Sequence, residues 1–352
     1  LNGGRINGGL VQQVGTANGL RFSQSGNNIL DGVTVRGDLQ LTSSSVNSQV
    51  SSSTVQVLNG LTLRTEDGLS NGTANLANSG RLAFRGTQTF DNGTINLASS
   101  ADVTVERPTG GAATTVTLGP NATIQGSGGI GASCFLDCAA TSLINQGTIS
   151  ASINAQTLTV GSTNFANNFT NSGTLEARNG GILTINAQSW TNSGSITVVD
   201  ATSTINLDGT LTTGGLGTFS NAAGGFLNLT GTINNAGQTL DFGAGALADR
   251  GLMRLNGGRI NGGLVQQVGT ANGLRFSTST NNILDGVTVR GDLQLTSSSV
   301  NSQASSSTVQ VLNGLTLRTE DGLGNGTANL ANSARLAFRG TQTFDNGTIN
   351  LA

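Results

Sequence analysis

The sequence predicts an all-β chain folded as a β-solenoid and continuing as a rod. Three observations point there: a long segment is repeated almost unchanged, short segments inside it recur at coil-like spacing, and helical periodicity is missing. Leu1 to Ala98 returns as Leu255 to Ala352, a shift of 254 residues. The copies differ at five positions only: Gln24/Thr278, Gly26/Thr280, Val50/Ala304, Ser70/Gly324 and Gly80/Ala334. All five exchange small or polar residues. Residues 1–254 therefore read as one complete solenoid unit, and 255–352 as the start of a second that continues directly from it.

Composition sets what such a chain is made of. Hydrophobic residues are 35% and charged residues 10% of the chain, with 53 Gly and 2 Pro. The apolar residues are mostly Val, Ile, Leu and Ala, and Thr is abundant, which favours strands. The periodic apolar pattern argues against a disordered polar linker, the other reading of so low a charge. A net charge of −2 gives no general attraction to nucleic acid or anionic membrane. No apolar run reaches the roughly 18 residues of a membrane helix. The absence of an initiating Met and the phase of the repeat suggest a window on a longer array.

The coil is most legible between residues 143 and 198. Three segments align there: Leu143 to Ala151, Phe169 to Ala177 and Trp190 to Val198. Their Asn residues, Asn145, Asn171 and Asn192, are 26 and then 21 residues apart, a spacing that suits one turn of a three-faced solenoid. Stacked on one another, Leu143, Phe169 and Trp190 form one apolar column. Ile149, Leu175 and Ile196 form another. Asn145, Asn171 and Asn192 are expected to make an amide ladder, each side chain donating to the next coil. Gly147, Gly173 and Gly194 fall in the turn, where positive φ or a close backbone approach is expected.

Second strands follow at Leu158–Val160, Ile182–Ile185 and Ile205–Leu207, alternating apolar and polar so that one face is inward. Less regular examples are Gly32–Val35, Leu39–Leu41, Leu61–Leu63, Gly93–Leu97, Gly231–Ile233 and Leu240–Phe242. Residues 42–53 and 107–142 fit the coil poorly and are expected to be long excursions. At about 22 residues per coil, one unit would hold about 11 or 12 coils and about 55 Å of axis.

Chemistry has few candidates. His and Lys are absent from the sequence, so the usual general bases and Schiff-base amines are missing, and no enzyme activity or cofactor is expected. The one adjacent acidic pair of the unit, Glu66-Asp67 (repeated as Glu320-Asp321), reads as a solvated turn with Arg64 as local partner. Neither an EF-hand loop nor a calcium-roll nonapeptide is present. Cys134 and Cys138 are the only cysteines. A zinc site would need two further Cys or His ligands. The pair reads as an intrachain disulfide pinning a loop, which suits an oxidising exterior, with bridging between neighbouring chains as the alternative. Trp190 could offer a sugar-stacking face, yet its column with Phe169 and Leu143 makes it a core residue first. Asn71, Asn92, Asn121, Asn168 and Asn228 lie in glycan-acceptor triplets.

The repeated Asn-x-Gly-Thr-Ile/Leu segments, such as Asn171 to Ala177 and Gly231 to Leu240, resemble those of bacterial filamentous haemagglutinins and autotransporter passenger domains. The resemblance implies a right-handed parallel β-helix at the cell surface or outside the cell. It implies a structural role in a fibre, adhesive or matrix-forming as in biofilms, within a giant tandem-repeat protein. The partners expected are further repeats of the same chain, cell surfaces or polysaccharide. The enzyme class to set against it is the carbohydrate-active β-helix, whose sites resemble Asp clusters with Arg or Lys on one strand face.

Overall fold

A computed structural model describes residues 1–13, 15, 19–42, 52–164, 167–221, 224–243, 253–267, 273–295 and 306–352. Among them the chain is all-β, with 1% helix, and its parallel strands stack as a β-solenoid of about 11 turns. The helical part is one 3-10 turn, Thr213–Gly215. The described residues divide into two compact bodies, Leu1–Trp190 and Thr191–Ala352.

In the first body, from Arg81 onward, each coil gives one strand to each of three sheets. One coil runs Thr114–Leu118, Ala122–Gly126 and Gly128–Ile130; the next runs Thr141–Asn145, Thr148–Ala151 and Thr157–Val160. Each strand pairs in parallel with its counterpart one coil on: Val116 with Leu143, Ile124 with Ile149, Ile130 with Val160. Period-2 alternation does the sorting. In Ala122–Gly126 the burial alternates between buried and intermediate, placing Ile124 inside and Thr123 and Gln125 outside. The interior is a column of fully buried apolar side chains, among them Leu82, Phe84, Phe90, Ile95 and Ile124, each 0% exposed. Burial of such side chains is worth about 1.5–3 kcal/mol each against exposure.

The second body repeats part of this pattern with the same register. Asn28–Arg36 pairs with Thr54–Arg64 in the first body, with a shift between Asp31 and Val33; Asn282–Arg290 pairs with Thr308–Arg318 in the second, with the same shift between Asp285 and Val287. The seam between sequence copies lies within the second body. There Met253–Leu255 is a strand, pairing with Leu227–Leu229 on one side and with Arg275–Phe276 on the other. The boundary of the repeat is thus an ordinary coil of the sheet and not a linker.

Two expectations change. Residues 107–142 are not one long excursion, because Thr114–Leu118, Ala122–Gly126 and Gly128–Ile130 are coil strands. The Thr-Val-Thr-Leu alternation at 115–118 carries the inward Val116 and Leu118, and only the stretches around 107–113 and 131–140 leave the coil. The expected excursion at 42–53 falls largely on residues 43–51, outside those described.

The coil is also longer than expected. Paired residues lie from 21 positions apart (Leu82 and Val103) to 35 apart (Leu39 and Ala74). The longer steps contain the departures from the coil, so a 254-residue unit holds fewer coils than the 11 or 12 expected.

Candidate functional site

The stacked columns take the following places. Leu143 lies opposite Phe169, Asn145 opposite Asn171 and Ile149 opposite Leu175 in paired parallel strands. Phe169 and Trp190 are 2% and 1% exposed, so neither presents a ring to solvent. The Asn145 amide donates to Asn171 Oδ1 at 2.6 Å, and the Asn171 amide donates to its own turn at the Gly173 carbonyl, 3.2 Å. In the second body the Asn192 amide donates to the Leu216 carbonyl at 2.7 Å, and Asn192 Oδ1 accepts from the Gly194 N–H at 3.1 Å. Buried amides of this kind need such partners, since an unpaired one costs about 1–3 kcal/mol.

Gly147 and Gly173 are required by close approach and not by positive φ. A Cβ on Gly147 would lie 2.2 Å from the Ala122 carbonyl oxygen, and one on Gly173 would lie 2.2 Å from that of Gly147. Each coil therefore sits on the backbone of the coil before it at this corner.

Arg64–Asn71 closes a small hairpin in which the acidic pair sits. Its internal bonds run from the Thr65 hydroxyl and the Leu69 N–H to Asp67 Oδ1, at 2.5 and 2.9 Å. The Thr65 bond, then the Leu69 bond, hold the Asp67 carboxyl below its ordinary value. The cation beside it is Arg36, whose guanidinium packs on Gly68, in place of the expected Arg64. The reason is geometric: Arg36 lies directly across the sheet from Arg64 and reaches over the hairpin. The same bonds recur at Thr319, Asp321 and Leu323. Leu69 and Leu323 stand 82% and 86% exposed at the two hairpin tips.

The most elaborate polar cluster surrounds the cysteines. Cys134 and Cys138 form a disulfide with Cα atoms 5.7 Å apart. Strand Asp102–Glu106 turns Val103 and Val105 inward, so alternation places Thr104 and Glu106 on its outer face, yet both are 0% exposed. The disulfide loop covers Glu106. Glu106 Oε1 accepts the Phe135 N–H at 2.9 Å, and Oε2 accepts the N–H groups of Leu136 and Asp137 at 2.9 and 3.0 Å. Arg107 donates through Nε and Nη2 to Asp137 Oδ2 at 3.0 and 2.7 Å. The Ser133 hydroxyl donates to Asp102 Oδ2 at 3.0 Å, and Arg81 bonds the same oxygen at 3.2 Å.

The loop reaches further along the axis through Phe135. Its ring lies 5.4 Å from the Arg81 guanidinium carbon, a cation–π contact, and its Cζ would be 2.6 Å from a Cβ on Gly26. On the neighbouring strands the outward residues Gln56 and Ala83 are also buried, at 2% and 0% exposure. Glu106 was not legible as part of a site, since an outward Glu on a strand ordinarily faces solvent. The signal was confined to its place on the strand directly before the irregular stretch.

Two results are expected from this geometry. Gly26→Thr, the substitution that the second copy carries at Thr280, places a methyl against Phe135 and should displace the ring at a cost of about 1–3 kcal/mol. Limited proteolysis of the oxidised chain should then cut within 131–140 faster than in the parent; equal rates would contradict the contact.

Acid should loosen the loop as well. The Arg107 bond, followed by the Ala139 N–H, holds the Asp137 carboxyl below its ordinary 3.8. A lowered folded value gives stability that is present above 3.8 and is lost as pH falls through the folded value. The Arg107 Nε–H resonance should be unchanged at about pH 5 and move only below 3.8. A midpoint above that value would contradict the pairing.

No helix among the described residues is long and apolar enough to cross a membrane. No family model, curated protein or solved structure matches the chain.

Proposed function

We propose that this chain is a structural segment of an extracellular or cell-surface fibre, a rod-like spacer whose near-identical units set its length. The observation that carries the reading is the seam: Met253–Leu255 pairs on both sides, so a new copy begins without interrupting the sheet. Stability in such an array is a sum over neighbouring coils, and adding copies extends it without new chemistry. The intrachain disulfide suits an oxidising compartment. The segments resembling filamentous haemagglutinins and autotransporter passengers are the ones whose Asn and Gly residues build the corners, and a right-handed β-helix of that kind is the form proposed. Adhesion or matrix formation would act through weak contacts repeated along the array, where multivalency raises avidity.

The test is immunogold labelling of intact source cells with antibody to residues 131–140. Label is expected outside the cell, at a distance from the surface that changes when whole 254-residue units are removed or added. Label seen only after permeabilisation would overturn the reading, as would release of sugar fragments from polysaccharide by the purified chain.

A further inference from the structure

We propose that the disulfide loop, once reduced, is a binding site for a thiophilic divalent cation of the zinc class, with Glu106 as the third protein ligand. Sequence spacing offers two sulfurs only. The fold adds a carboxylate from 28 positions before Cys134, and the ligand atoms of Glu106, Cys134 and Cys138 all lie within 4.8 Å of one another. Two ligands about 2.3 Å from a common tetrahedral ion are about 3.8 Å apart, so the carboxylate needs little movement, while the two sulfurs, bonded to each other in the disulfide, separate on reduction.

The carboxylate is held in place before any ion arrives. Three backbone N–H groups fix it, and of these only the Phe135 N–H bonds Oε1, which keeps lone-pair capacity for a cation. Cys138 Sγ lies 3.5 Å from Oε2, already against the carboxylate. Glu106 and Cys138 are buried, while Cys134 is partly exposed and gives the ion its path. The charges also fit. Two thiolates and one carboxylate around a dication leave a single negative charge, facing three N–H dipoles.

Reduction by an added phosphine breaks the S–S bond. Phosphorus is oxidised to the phosphine oxide with oxygen from water, and the two sulfurs take up the electron pair and two protons. Cation binding then releases those two thiol protons, because the thiolate is the ligand. Water would complete the fourth position.

The test is anaerobic titration of the phosphine-reduced full chain with Cd²⁺, read as thiolate-to-metal charge-transfer absorption. The Zn²⁺-loaded chain is examined in parallel by X-ray absorption. One equivalent is expected to bind, with a shell of two sulfurs and oxygen or nitrogen ligands. Cys138→Ser should abolish the band, and Glu106→Gln should weaken binding about 10-fold or more while keeping a two-thiolate band. Absence of the band in the reduced parent would overturn the proposal. So would parental affinity in Glu106→Gln, or a four-sulfur shell shared between two chains. The absorption measurement on the parent decides the ligand set even if Glu106→Gln loosens the loop.

Discussion

Glu106→Ala is expected to cost the covered face of the first body about 3–5 kcal/mol, because three N–H groups lose a charged acceptor at once. Hydrogen bonds to a charged partner are worth about 1.5–3 kcal/mol each, and water entering the vacated space recovers part of the total. The disulfide remains and keeps the loop short, so the loss should fall on docking and not on loop closure. Amide exchange reads it directly. Protection of Phe135, Leu136 and Asp137 should fall by about 10²–10³, at about 1.4 kcal/mol for each factor of ten. Glu106→Gln keeps one carbonyl oxygen but turns an NH₂ group toward donors, so it should fall between Ala and the parent. Unchanged protection in both variants would show that the lid is held by Phe135 and Arg107 alone.

Trp190→Ala should be as severe, at about 3–5 kcal/mol, for a different reason. Trp190 is 1% exposed and is the largest fully buried side chain, so truncation opens a cavity that the stacked strands cannot collapse to fill. A cross-strand neighbour cannot move inward without leaving its ladder. Urea unfolding followed by far-ultraviolet circular dichroism should show a lowered midpoint or a separate early transition, since coils couple chiefly to their neighbours. A loss below about 1 kcal/mol would mean that the indole packs loosely. Because Trp190 is the chain's only tryptophan, its emission should be blue-shifted in the native parent and unmoved by added sugars. A sugar-dependent shift would revive the stacking-platform reading.

The coil architecture was readable wherever one coil aligned with the next without insertions. Leu143 with Phe169 and Asn145 with Asn171 are paired in the register that alignment implied, because identical side-chain needs recur at identical corners. The corner glycines were readable as a class but not in mechanism: Gly147 is required by a carbonyl 2.2 Å from its absent Cβ, a contact made by the preceding coil. Insertions hid the rest. Thr114–Leu118 shows clear alternation, yet the irregular stretches on either side concealed its place in the sheet. The Glu106 cluster was hidden more thoroughly, since its three donors come from a loop that folds back over the outer face. Alternation predicts which side of a strand a residue takes. It does not predict what later covers that side.

Length per added unit tests the central claim most directly. At about 25 residues per coil, 254 residues make about 10 coils, and strands about 4.8 Å apart give about 50 Å for each further unit. Small-angle X-ray scattering on chains of one, two and three units should show the maximum dimension rising by that constant step, with an unchanged cross-section. A dimension that grows much more slowly, with a cross-section that widens as units are added, would contradict a solenoid whose copies continue one another.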